Sequence, residues 1–219
     1  MEIVPIEVIS VLIDIALPAP LGFQQARLDD FAAKVCDSAK GLNLRPDQIR
    51  LRRWDDLFGY ELVANFFGEN GSLNRTADRV KFSVRNARTS ADWKVICDSI
   101  QRLYSILQLP ATTLTQLWVQ AHARFESVEA RDRWLQQFAT TPLLARSGAV
   151  GHVRIPEWER DIRVLIEQSN AVNGAVFVEW STQYSNVQEW ETFLPTIPPM
   201  LENAVNHFEL GLEPLRDRL

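Results

Sequence analysis

Ile9-Ser-Val-Leu-Ile-Asp-Ile-Ala-Leu17 and Leu117-Trp-Val-Gln-Ala-His-Ala-Arg-Phe125 share one pattern. Ile9, Val11, Ile13, Ile15 and Leu17 fall on Leu117, Val119, Ala121, Ala123 and Phe125 at a constant offset of 108 residues. A period of two belongs to a strand, whose successive side chains point to opposite faces. The first stretch also carries Val8, Leu12 and Ala16 between its apolar positions, so the strand predicted over 6–17 is apolar on both sides and belongs inside a sheet or under cover. The second strand, predicted over 114–125, keeps Trp118, Gln120, His122 and Arg124 together on a more polar face.

The surroundings of the two strands follow a common order. Pro18 and Pro20 stop the first, since proline cannot donate to a ladder. A helix is expected over 24–40, with Leu28, Phe31, Ala32 and Val35 on one stripe and Gly41 as its stop. Strands are expected over 48–54, 58–67 and 79–86, with a turn at Gly68-Glu-Asn-Gly71, and a helix over 90–108 begun by Thr89 or Ser90 and closed by Pro110. The second half predicts a helix over 126–138 and strands over 150–155, 161–168 and 175–184, the last two joined at Asn173-Gly174. A helical region over 187–211, capped by Ser185 or Asn186 and broken at Pro195, Pro198 and Pro199, then ends the pattern with a longer helix from Pro198 to Leu210. Both closing helices start with a capping residue, an acid and a tryptophan: Ser90-Ala-Asp92-Trp93 and Asn186-Val-Gln-Glu189-Trp190.

These segments predict an α+β protein of two β-α-β-β-β-α units, 1–110 and 111–219. Each unit alone is too small to bury a sheet face and two helices securely. Packing as one pseudo-twofold body, with a curved, mainly antiparallel sheet and helices on one face, solves that problem.

Composition narrows the function. The 219 residues are 46% hydrophobic and 23% charged, ordinary for a globular chain. A net charge of -5 disfavours broad electrostatic binding to nucleic acid or to an anionic membrane. Arginine outnumbers lysine 19 to 4, which suits bidentate contacts. Cys36 and Cys97, each within a predicted helix, make no zinc or disulfide pattern and point to a reducing, cytoplasmic setting. The first residues, with Glu2, Glu7 and Asp14 and no basic region, read as a strand rather than a signal peptide. Nowhere does an apolar run reach the length of a membrane span.

The order of elements resembles a TATA-binding-protein-like saddle or a related helix-grip fold. It is also similar to a sporadically distributed family of bacterial proteins of unknown function. The stretch concerned is Ser72-Leu-Asn-Arg-Thr-Ala-Asp-Arg-Val-Lys-Phe-Ser-Val-Arg85, followed by the Trp93 helix and the strand over 114–125. The resemblance implies a fold and brings no functional residue with it.

No nucleotide, zinc-protease or nucleophile-elbow motif occurs, so no catalytic residue, metal ligand or cofactor is assigned. His122, His152 and His207 lie apart in sequence; His122, two residues before Arg124, reads first as a structural side chain. The acid pairs Asp29-Asp30, Asp55-Asp56 and Glu157/Glu159 read as solvated charge in caps and turns. Arg50, Arg52 and Trp54 on one strand, and Arg79, Lys81 and Arg85 on another, are placed to share a sheet surface suited to phosphate contact and stacking. The blander expectation is a sheet face kept in solution by long charged side chains. Trp118, His122 and Arg124 mark a second surface, where a large aromatic would anchor a partner if exposed and would be ordinary packing if covered. The leading expectation is a non-enzymatic module that binds a protein partner or a second copy through its open sheet face. Nucleic-acid binding through the basic face, and a sensor or enzyme with a pocket between sheet and helices, are the alternatives.

Overall fold

Strand β2 (Ile6–Ala16) is the inner strand that its two apolar faces require. A computed structural model describes residues 2–38, 46–67, 70–87, 89–108, 114–139, 148–155, 160–184 and 197–213. After β1 (Glu2–Val4) and β2 come helices α1 (Phe23–Ala26) and α2 (Leu28–Ser38). Strands β3 (Ile49–Arg53), β4 (Tyr60–Phe66), β5 (Gly71–Arg75) and β6 (Arg79–Arg85) lead into helix α3 (Ser90–Leu107). Next are β7 (Thr115–Arg124), α4 (Val128–Gln136), β8 (Gly148–Ile155), β9 (Arg160–Gln168) and β10 (Ala175–Tyr184). Helix α5 (Ile197–Asn206) and β11 (Leu210–Leu212) follow.

The protein is α+β, with nine strands in an open, mainly antiparallel sheet ordered β3-β4-β5-β6-β2-β7-β10-β9-β8. Strands β1 and β11 form a separate parallel pair. In the large sheet β2 lies beside β6 and β7 lies beside β10, so each opening strand returns to the last strand of the meander after it. Backbone bonds Ala16 N–H to Leu114 O (3.2 Å) and Arg124 N–H to Pro5 O (3.0 Å) fix β2 and β7 antiparallel. Contacts divide the described residues into two compact units, 11–117 with 183–184, and 2–10 with 118–182 and 197–213.

Within the first unit, one sheet face is apolar. Val11, Ile13, Ile15, Tyr60, Leu62, Phe66, Leu73, Val80 and Phe82 are buried, as are Leu28 and Phe31 of α2 and Trp93, Ile96 and Ile100 of α3. Within the second, Val119, Ala121, Ile162, Val164, Ile166, Val176, Val178 and Trp180 are buried, with Trp134 and Leu135 of α4 and Leu201, Ala204 and Val205 of α5. This matches the expected apolar alternation and helix stripes.

Three expectations need correction. The first half carries four meander strands, because β5 follows the expected turn at once. Its inward positions are Gly71, Leu73 and Arg75, so only one of three is an apolar side chain and the signal is hidden. The helix expected over 24–40 is interrupted at Arg27, whose φ of 44° ends α1 before α2 starts. The last helix stops at Asn206, Glu209 turns with φ of 59°, and Leu210–Leu212 pairs with β1 instead of continuing the helix. His207 therefore lies in a turn after α5, not within it. At the start of α3, Thr89 and Asp92 close a reciprocal capping box: Asp92 N–H donates to Thr89 Oγ1 (3.1 Å), and Thr89 N–H to an Asp92 carboxylate oxygen (2.9 Å). The stop at Gly41, Gly68, Pro110, Glu157, Glu159, Trp190 and the capping and breaking residues 185–195 lie outside the described residues, as does the side chain of Cys36.

Candidate binding surfaces

The four-strand register fixes which basic side chains share a face. Arg50 is opposite Val63, Val63 opposite Asn74, and Asn74 opposite Lys81. Arg52 faces Glu61 in the next row. Side chains alternate along each strand, so Arg50, Arg52, Glu61, Asn74, Arg79, Lys81 and Arg85 project from the side opposite the core. Trp54, just past β3, is half exposed.

That face is less basic than its arginines suggest. Asp14 of β2 is 6% exposed, and it takes Arg79 Nη1 at 3.0 Å and Lys81 Nζ at 3.8 Å. Glu61 takes Arg52 Nη1 at 3.8 Å and accepts Asn74 Nδ2 at 2.6 Å. Ser72 and Ser83 hydroxyls bond each other at 2.9 Å. Among the described residues, Arg50 and Arg85 are the members of the set left without an ion pair. Asp14, a lone acid in an apolar strand, was visible in the sequence; its two cationic partners follow only from the sheet order.

At the β3 margin the structure adds residues that the sequence reading did not assign to a site. Leu51, Leu57 and Phe58 are 44%, 65% and 48% exposed, in the same short stretch as Trp54. Their turn is fixed by Phe58 N–H to Asp56 Oδ1 (2.8 Å), Trp54 N–H to Gly59 O (2.7 Å) and Phe23 N–H to Leu57 O (3.0 Å). Large apolar side chains held outward by a hydrogen-bonded turn are costly in water unless something covers them.

In the other unit, Trp118, Gln120 and His122 alternate with the buried positions of β7 and are half-buried, while Arg124 is exposed and meets Glu7 at 3.5 Å. Gln120 Nε2 donates to Glu179 Oε2 (2.9 Å), and Arg163 Nη1 to Glu179 Oε1 (3.3 Å). The His122 ring lies 5.3 Å from that of Phe177. His152 of β8 is exposed.

His122 Nδ1 lies 2.8 Å from Ser169 Oγ, a pairing that invites a catalytic reading. The hydroxyl is also engaged by the turn backbone. Ser169 Oγ already accepts Ala171 N–H (3.2 Å) and Val172 N–H (2.9 Å), which occupies both lone pairs of the hydroxyl. Its proton is then directed at His122 Nδ1, which must be the unprotonated ring nitrogen. Ser169 is 6% exposed, and its hydroxyl is held in place by two backbone amides of the turn. Burial also pushes the His122 pKa down, consistent with a neutral ring. The pair is a turn clasp.

Among the described residues no group of three or more His, Cys, Asp or Glu is placed to hold a metal, and no helix is long and apolar enough to cross a membrane. No family model matches the chain, and no curated protein matches it.

Proposed function

We propose that this chain is a non-enzymatic binding or assembly module that engages a protein partner or a second copy through the exposed side and margin of its sheet. The observation that supports this most is the exposure of Leu51, Trp54, Leu57 and Phe58, in and just after the strand that carries Arg50 and Arg52. Exposed aromatics flanked by arginine are the residue types that dominate interface energetics. The polar groups elsewhere are engaged within the fold: Asp14 Oδ2 with Arg79 and Lys81, and Ser169 with His122.

The test is light scattering and cross-linking of the full chain, alone and with whatever co-purifies, against Trp54→Ala. Loss of an aromatic anchor costs about 1–2 kcal/mol or more, so a complex formed here weakens roughly tenfold or more while thermal unfolding stays unchanged. A monodisperse monomer, with no complex that depends on Trp54, would overturn the proposal.

A further inference from the structure

Among the described residues, strand β3 ends the nine-stranded sheet, with β4 as its single neighbour. Trp54 N–H bonds Gly59 O in the same register that sets Arg53 opposite Tyr60. Bonded and non-bonded pairs alternate in an antiparallel ladder, so Arg52 with Glu61 and Arg50 with Val63 are the bonded pairs. The backbone N–H and C=O groups of Ile49, Leu51 and Arg53 consequently point away from the sheet. This is a row of donors and acceptors ready to pair with another strand.

The side chains along that edge are chemically polarised. Arg50 and Arg52 are exposed on one face, and Leu51, 44% exposed, lies on the other. A second copy of β3 is a poor occupant. Antiparallel pairing centred on Leu51 would set Arg50 opposite Arg52 of the copy, twice, and like charges directly opposite are destabilising. The same arginines favour carboxylates at those places. Glu61 holds Arg52 only at 3.8 Å, with Arg52 mostly in solvent, so that contact yields readily to an incoming acid.

Resting on the binding-module reading above, we infer that the β3 edge docks an extended acidic segment of a partner protein, which adds to the sheet as a further strand. Its backbone bonds Ile49, Leu51 and Arg53, its carboxylates meet Arg50 and Arg52, and its alternate apolar side chains cover Leu51.

The experiment uses the full chain and a short labelled peptide alternating glutamate with valine, followed by fluorescence anisotropy at low salt. Two controls are the lysine-for-glutamate peptide and the acidic peptide N-methylated at alternate residues. The acidic peptide is expected to bind at least tenfold more tightly than either control and to slow amide exchange at Ile49, Leu51 and Arg53. The folded double variant Arg50→Glu, Arg52→Glu should reverse the preference toward the lysine peptide. Equal binding of both peptides, binding without slowed exchange at those amides, binding of a single-stranded oligonucleotide in place of the peptide, or no binding at all would each overturn the inference. If the peptide fails while a Trp54-dependent complex persists, the edge inference falls and the binding-module reading stands; loss of both removes both.

Discussion

Arg75 is a cation set among the apolar side chains of its unit: it is 3% exposed, its guanidinium lies 4.4 Å from the centre of the Phe31 ring, and its Nε has no hydrogen-bond partner. Burial lowers its pKa, opposed by a hydrogen bond and charge interaction with the Tyr60 hydroxyl. Among the described residues no carboxylate pairs with it. Arg75→Met therefore removes favourable contacts and penalties together. The losses are a cation–π contact of about 1–2 kcal/mol and one hydrogen bond of about 1–1.5 kcal/mol. The relief is about 1–3 kcal/mol for the unpartnered Nε and several kcal/mol for the desolvated charge. The net expectation is stabilisation by about 1–3 kcal/mol, which raises the thermal midpoint by roughly 3–10 °C for a chain of this size. Urea unfolding followed by tryptophan fluorescence gives the free energy directly. Arg75 also lowers the Tyr60 pKa, which burial already raises, so in the variant the Tyr60 phenol should ionise at still higher pH in an ultraviolet titration. A native-like Arg75→Met protein that is less stable by 2 kcal/mol or more would refute the reasoning, since the guanidinium would then be far better satisfied than its contacts indicate.

Other perturbations test other parts of the structure. His122 has a folded pKa below its unfolded value, so its contribution to stability is complete above about pH 6.5 and is lost as pH falls, the unfolded chain taking up the proton first. His122→Gln should flatten that slope in urea midpoints measured across this range. Ser169→Ala strands the Ala171 and Val172 amides and should cost about 1–3 kcal/mol in the same assay, whereas a catalytic residue would usually be removed with little loss of stability. Gly71→Ala drives a methyl group into the ring of Phe66, which is buried and stacked on Phe82 at 5.5 Å. Such overpacking should cost about 1–3 kcal/mol by thermal unfolding.

The strands that alternate cleanly were legible from residues alone. Ile9 to Ile15, Val80 to Val84 and Leu117 to Ala123 bury the positions their spacing assigned, and β2 takes the inner place its double apolar faces required. What was hidden depends on partners distant in sequence. Strand β5 buries an arginine, and that position is made tolerable by Phe31 and Tyr60, which stand on other elements earlier in the chain. The shared face of Arg50, Arg52, Arg79, Lys81 and Arg85 was legible from alternation, but its neutralisation by Asp14 was not, because nothing local places β2 beside β6. The exposed Leu51 and Phe58 read as ordinary strand residues, and Leu57 falls between two expected strands, until β3 proves to be an edge. Left-handed Arg27 and Glu209, which divide or end the expected helices, are not glycines and gave no warning.

The small parallel pair of β1 and β11 matches Glu2 with Leu210 and Val4 with Leu212, and Glu213 N–H adds a bond to Val4 O. A ribosome making this chain releases Val4 long before Leu212 exists. Until the late segment arrives, the early one holds unmet amides and carbonyls in reach of any other strand. The interval between those two events is when a nascent chain most needs a chaperone, and a stop codon ahead of Leu210 would make that interval permanent.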